Sequence, residues 1–161
     1  MPRILAGKPI IDALKEDGLK RVAALKDRGI DPVLAIVRIG ARPDDLSYER
    51  TAIKRAEALG IGVRLFQLYE DAGQDALMKA IGEINADQGI HGCLMFRPLP
   101  AGYDEEAACE ALDPRKDVDG IGRAALARVF TGRGEGFAPC TAAACLEMLD
   151  GYGIADRKSG V

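Results

Sequence analysis

The residues best placed to do chemistry in this chain lie in the stretch from Gly92 to Gly120, GCLMFRPLPAGYDEEAACEALDPRKDVDG. Its tail, Lys116, Asp117, Val118, Asp119 and Gly120, sets two carboxylates two residues apart beside a glycine, in a segment too short to be expected to bury them. Ionised carboxylates are acceptors only, and one of them can take two parallel N–H donors from a planar edge. Alone, Asp-x-Asp-Gly is equally the sequence of a turn whose carboxylates bond the neighbouring backbone. The elements that precede it favour a site. Cys93 to Phe96 is a short apolar run that predicts a fully buried strand, ended by Pro98 and Pro100. Asp104 predicts a cap for a helix over Glu105 to Leu112, with two acids in its first turn where the helix dipole favours them, and Asp113 and Pro114 stop it. Loops beyond the ends of buried strands are where open α/β sheets hold ligands.

Other groups capable of chemistry are fewer. His91, the only histidine, precedes a strand at the end opposite that loop and reads as structural. The cysteines Cys93, Cys109, Cys140 and Cys145 have no CxxC spacing and no histidine cluster, which argues against zinc, and they read as small buried or half-buried residues that need no disulfide. TGRGEG at 131–136 has glycines without Walker or dinucleotide spacing and reads as a connection.

Positioning these groups falls to an alternation of elements. Lys8 to Arg28 carries Ile11, Leu14, Val22 and Leu25 on a helical period, weakened at Gly18 and closed by Gly29. Val33 to Ile39, VLAIVRI, reads as a buried strand, Asp45 to Leu59 as a helix ended by Gly60, and Val63 to Tyr69 as a strand. Gln74 to Asn85 reads as a helix, Ile90 to Phe96 as the next strand, Arg123 to Phe130 as a short helix and Thr141 to Leu149 as a last one. Strands alternating with helices predict a three-layer αβα domain around a mainly parallel sheet. With 161 residues and 48% apolar content, the chain is long enough for one sizeable core rather than two. A net charge of −3 gives no electrostatic reason to expect nucleic acid. No apolar run of spanning length and no signal peptide is present, since Met1 to Leu5 leads straight into Gly7 and Lys8, so the expectation is a cytoplasmic protein without a membrane partner.

Four motifs in order carry a resemblance. AGKPIIDALKEDGLKRVAALKDRGIDPVLAIVRIG, then GARPDDLSYERTAIKRAEALGI, then PLP with DEE, ALDP and KDVDG, and finally GFAPCTAAA resemble the methylenetetrahydrofolate dehydrogenase/cyclohydrolase family of folate metabolism. The resemblance implies that residues 1–150 form the folate-binding catalytic-type α/β domain. Residues 151–161 would begin the connection to an NADP-binding Rossmann domain that this sequence does not include. It implies a tetrahydrofolate derivative as substrate, NADP only where that second domain is present, and a homodimer.

Carried over residue by residue, the resemblance makes Tyr48 the tyrosine that stacks on the folate and Asp119 the partner of the pterin ring; these two remain as the catalytic-type pair. Pro98 and Leu99 of the PLP segment stand with them as substrate contacts. The family's lysine, four residues after the tyrosine, is Ala52 here, and the glutamine that tunes that lysine is Phe96, followed by Arg97. Lys54 is no substitute, because two residues along a helix turn it by about 200°. Arg55, seven residues on from Tyr48, shares its face and is expected to hold a carboxylate or an oxyanion, though a guanidinium cannot act as a base. Loss of the lysine and glutamine together is self-consistent, since a lone glutamine would seek a partner and phenylalanine fills the vacated volume. After KDVDG the family's aromatic, His, Pro and later Asn are replaced by Ile121, Gly122, Arg123, Ala124 and Ala125, which thins the polar lining. Arg115 and Lys116 are candidates to meet a glutamate tail. The sequence therefore supports three readings, a folate domain acting on one-carbon derivatives, a noncatalytic folate-binding or partner-binding module, and an α/β domain that has lost the pocket and serves as a structural or oligomerisation unit.

Overall fold

The structure, a computed structural model, describes residues 4–154. The expected start of an interdomain connection at 151–161 lies mostly outside them. In chain order the elements are α1 (Gly7–Lys26), β1 (Val33–Ile39), α2 (Pro43–Leu59), β2 (Gly62–Leu68), α3 (Gln74–Ala86), β3 (Gly92–Met95), α4 (Glu105–Ala111), α5 (Arg123–Thr131) and α6 (Cys140–Gly151). The three strands form one sheet in the order β2-β1-β3, both pairings parallel, with Val33 opposite Gly62 and Leu34 opposite Gly92.

The central strand shows why the layers form. Along β1, alternate side chains face opposite sides, and all of Ala35 to Ile39 is buried. Ala35, Val37 and Ile39 pack into a core with Leu77, Ile81 and Ile84 of α3 and Ala108 and Cys109 of α4, joined by Ile90, Cys93, Met95 and Leu112. The other face meets α2. There Arg38 donates from Nε to Glu49 Oε2 at 2.8 Å, both side chains buried, and Gln67 Nε2 donates to Glu49 Oε1 at 3.1 Å. Arg38 also donates to the Gly40 carbonyl, so the charge is satisfied on two sides. Helices on both faces of a parallel sheet give the three-layer α/β architecture expected.

The local signals act where they stand. Gly60 ends α2 in the left-handed region at φ 78°, its N–H reaching back to the last turn. Asp104 caps α4 by accepting from the Ala107 N–H at 2.9 Å. His91 has the structural place expected of it, with Nδ1 accepting from the Val33 N–H at 3.2 Å. Among the described residues no helix is long and apolar enough to cross a membrane.

Two expectations fail. Cys93 and Cys109 are buried, but Cys140 and Cys145 are exposed, because α6 buries none of its residues fully. The Lys116–Gly120 segment also buries charge. Asp117 forms a parallel bridge with Cys93, whose N–H donates to the Lys116 carbonyl at 2.6 Å, so the segment lies along β3 like a fragment of strand and both side chains enter the interior.

Candidate functional site

A parallel sheet opens a crevice where the chain leaves adjacent strands in opposite directions. Here that point lies between β1 and β3: the chain runs from β1 through α2 to β2 on one side, then returns through α3 to β3 on the other. A cavity of about 290 Å³ sits there, lined by Asp44, Asp45, Tyr48, Leu94, Met95, Phe96, Arg97 and Asp119. Tyr48, Phe96 and Asp119 come from three separate segments and meet in this cleft.

Each wall has its own support. The first turn of α2 supplies Asp44 and Asp45, where the helix dipole favours acids, and the second turn supplies Tyr48. Arg42 grips Asp45 with Nε to Oδ2 at 2.7 Å and Nη2 to Oδ1 at 3.2 Å, and Nη2 also donates to the Pro98 carbonyl at 2.9 Å. The end of β3 supplies Phe96, whose N–H donates to the Val37 carbonyl at 2.9 Å. The Phe96 ring is 6% exposed and packs against Tyr48 with centroids 5.2 Å apart at 56°, while Tyr48 stays 56% exposed and presents ring surface to the cleft. Tilted aromatic pairs of this kind contribute about 0.5–1.5 kcal/mol beyond their burial.

Asp119 is held by a contact between two distant motifs. Gly120 adopts φ 67°, and a Cβ there would stand 2.8 Å from the Pro139 nitrogen, so only glycine lets the GFAPCT segment close over the loop. The Cys140 N–H donates to the Asp119 carbonyl at 3.3 Å, and the Cys140 thiol donates to the Val118 carbonyl at 3.1 Å. Burial pushes the Cys140 thiol pKa up, and the Asp119 carboxylate adds to the effect. Cys140 is thus a neutral neighbour of Asp119 rather than a nucleophile.

The remaining expected site residues are placed differently. Pro98 and Leu99 border the cleft without lining it, and their backbone is engaged elsewhere: the Pro98 carbonyl by Arg42, and the Leu99 N–H by Glu105 Oε2 at 2.7 Å. Ala52, half-buried one turn beyond Tyr48, offers no polar atom. Arg55 does not join Tyr48. It lines a separate groove of about 690 Å³ between α1 and α2, with Ile11, Leu14, Lys15, Arg50 and Lys54. Seven residues bring Arg55 round to nearly the same angle but about 10 Å further along the axis, where α2 faces α1. That groove is the larger cavity, yet the aromatic pair and the Asp119 carboxylate converge in the smaller one. Lys116 is likewise unavailable to a ligand tail, whereas the Arg115 side chain is exposed. Lys116 is buried and donates to the Ile84, Asn85 and Asp87 carbonyls at 2.7, 3.0 and 2.7 Å, closing the C-terminal end of α3. Arg115 is paired with Asp113 at 2.6 Å. Asp117 is 3% exposed, accepts from the Gly122 N–H at 2.9 Å through Oδ2, and has no partner for Oδ1 among the described residues.

Asp44, Asp45 and Arg97 were not singled out from the sequence. The signal for the acids was their place in the first turn of a helix that follows a buried strand; for Arg97 it was the position next to Phe96. Among the described residues no group of three or more His, Cys, Asp or Glu side chains is placed to hold a metal ion.

Residues 5–119 match the family model described as tetrahydrofolate dehydrogenase/cyclohydrolase, catalytic domain. The bifunctional protein FolD of Carboxydothermus hydrogenoformans is 45% identical over 154 residues, covering 96% of this chain and 54% of that protein. That of Clostridioides difficile is 41% identical over 159 residues, covering 99% and 55%. Among solved structures, the bifunctional enzyme FolD of Campylobacter jejuni superposes with a TM-score of 0.91 at 30% identity, over 94% of this chain and 54% of that one. The Trypanosoma brucei enzyme, complexed with NADP cofactor and inhibitor, gives a TM-score of 0.87 at 28% identity, over 95% and 53%. The chain thus spans about half the length of the relatives it matches. With its cleft at the β1/β3 crevice and a family match across residues 5–119, the chain belongs to the tetrahydrofolate dehydrogenase/cyclohydrolase family, within that family's catalytic domain.

Proposed function

We propose that the cleft binds the pterin of a tetrahydrofolate one-carbon derivative, and that it serves methylenetetrahydrofolate dehydrogenase-type chemistry while the cyclohydrolase step is lost. The observation that carries this is the meeting of Tyr48, Phe96 and Asp119 at the crevice between β1 and β3. The exposed Tyr48 ring offers a stacking surface, backed by Phe96 so that its orientation is held. Asp119 faces the same space as a double acceptor, matched to the adjacent N–H donors of an aminopyrimidinone edge.

Hydrolysis of a methenyl bridge needs a group that moves protons near neutral pH. Ala52 has none, and Phe96 fills its place with ring packed on ring. Arg97 is the one cation lining the cleft among the described residues, and a guanidinium stays protonated. Oxidation of a methylene bridge places a lighter demand on these side chains, since NADP, when bound, accepts the hydride. The described residues do not fit that cofactor: TGRGEG follows helix α5 rather than a strand, and the turns from strand to helix hold single glycines, Gly40, Gly73 and Gly102, rather than the spaced glycines that cradle a pyrophosphate. NADP therefore falls to the part of the relatives' length outside these 161 residues. Domain division near residue 150, assembly as a homodimer and action in the cytoplasm belong to the same reading.

Titrating the chain with 5,10-methenyltetrahydrofolate, followed by absorbance, tests the folate site and the loss of hydrolysis together. Saturable binding with decay no faster than in buffer is expected. Accelerated decay overturns the loss of hydrolysis, and absence of binding overturns the folate site. A noncatalytic module, the reading favoured by the Phe96 packing, is separated by joining the chain to an NADP-binding half from a relative: methylenetetrahydrofolate oxidation by that protein excludes it.

A further inference from the structure

We propose that the buried pair Arg38 and Glu49 is the positioning device of the cleft: it fixes α2 on the sheet so that the Tyr48 ring stays packed on Phe96 and open to the ligand; this rests on the folate reading above. Helix α2 has little else to hold it. Of its 17 residues only Glu49 and Ala56 are fully buried, while Leu46, Ala52, Ile53 and Leu59 are half-buried. Apolar contacts are non-directional, so a few of them leave a helix able to turn or slide slightly over a sheet. Charged hydrogen bonds are directional and prescribe one arrangement. Glu49 follows Tyr48 directly in the chain, so what fixes its carboxylate fixes the backbone from which the tyrosine projects.

The pair is tied to every segment around it. Arg38, next to last in β1, donates from Nε to Glu49 Oε2 at 2.8 Å and from Nη1 to the carbonyl of Gly40, in the loop that leads into α2. Glu49 Oε1 accepts from Gln67 Nε2 of β2 at 3.1 Å. One guanidinium and one carboxylate thus join β1, the loop, α2 and β2, with both side chains only 8% exposed. Replacing a buried ion pair by apolar residues of similar volume is often neutral or stabilising, so stability is a weak reason for its presence. Phe96 braces the Tyr48 ring from the end of β3, and the ion pair braces the helix that carries it. Neither Arg38 nor Glu49 lines the cleft, so both are positioning residues rather than catalytic ones.

The test separates position from stability. Arg38→Met with Glu49→Leu replaces the pair by apolar residues of similar volume, and Tm is expected to stay level or rise. In that protein the nuclear Overhauser contacts between the Tyr48 and Phe96 rings should weaken, and affinity for 5,10-methenyltetrahydrofolate, followed by stopped-flow absorbance, should fall about tenfold, the worth of one aromatic contact. Arg38→Gln with Glu49→Gln should bring back the ring contacts and the affinity to within about threefold, because the glutamine amide nitrogen stands as many bonds from the backbone as arginine Nε, so a directional hydrogen bond returns without the charges. Arg38→Lys keeps the charge and gives up the fork; it tests the same point where the apolar pair does not fold, with a fall of about threefold expected. Unchanged ring contacts and affinity in the apolar pair or in Arg38→Lys overturn the positioning role and leave the folate site standing. Failure of the glutamine pair to restore what the apolar pair loses also overturns it, since the loss then belongs to the missing charge. Where the unaltered protein binds no folate, the folate reading fails, and the ring contacts alone decide the positioning role.

Discussion

Lys116 and Asp119 stand three residues apart in one motif and meet opposite surroundings. Lys116 runs beside β3, enters the interior and spends all three of its N–H donors on carbonyls at the end of α3. Asp119 lies where that bridge to β3 has ended, its backbone fixed by Cys140 and its carboxylate in the lining of the cleft. The lesson is that one short charged segment can anchor with its first half and present a ligand group with its second. What decides between them is distance from a sheet edge rather than residue type. The anchored half orients the presented one: Asp117 Oδ2 takes the Gly122 N–H, and Gly120 closes against Pro139, on either side of the loop that carries Asp119.

The sharpest way to break this comparison is to exchange the roles. Lys116→Met leaves three carbonyls without their charged donor and is expected to cost about 3 kcal/mol, read as a large fall in Tm by calorimetry. Asp119→Asn is expected to leave Tm within error while weakening folate binding about tenfold to a hundredfold, since one acceptor of a charged pair becomes a donor. A fall in Tm for Asp119→Asn matching that for Lys116→Met would erase the distinction. Next in size, Ala52→Lys with Phe96→Gln should restore methenyl hydrolysis beyond the sum of the single changes, with a coupling of about 1–2 kcal/mol in a double-mutant cycle. Strict additivity in a folate-binding protein would count against the pairing of those two positions.

Smaller effects sharpen the boundary between anchored and open regions. A thiol reagent at pH 8 should label the exposed Cys145 quickly, Cys140 more slowly because burial and Asp119 push its thiol pKa up, and Cys93 only on unfolding, because burial, reinforced by Asp117, pushes the Cys93 pKa up to about 12. Rapid labelling of Cys93 would show the β3 edge opening. The smallest concerns Asp113, which hydrogen bonds from Arg115 hold at a pKa of about 2, below its ordinary value of 3.8. A carboxylate whose pKa is lowered by folding stabilises the protein above its unfolded value and loses that contribution as pH falls through the folded value. Asp113→Asn should therefore flatten the pH dependence of stability between about 4 and 2, by a fraction of a kcal/mol given how exposed Arg115 is.

Much of the fold was legible because its signals are local. VLAIVRI is apolar on both faces with one exception, and it forms β1 over the span its composition predicts. Gly60 and Asp104 act through their own φ angle and their own carboxylate, with no distant partner needed. The exception in β1, Arg38, shows where such reading stops. Its partner Glu49 is on the next helix, and nothing in the spacing of the two announces a buried pair. Arg55 fails as a site residue for a related reason: helical phase gives an angle around α2, but what lies opposite that angle depends on the path of α1. The exposure of Cys140 and Cys145 follows from α6 having few neighbours, a property of packing rather than of the cysteines.

By itself the sequence determined the alternation of strands and helices and the caps that bound them, because each is a matter of residue type or near-neighbour geometry. Only the tertiary structure decided that Phe96 meets Tyr48, that Lys116 and Asp117 are drawn inside while Asp119 stays at the cleft, and that Asp44 and Arg97 share its walls. Those outcomes rest on which strand edge a loop happens to follow, and on the field of charges brought together from distant segments, neither of which is written in any one stretch of chain.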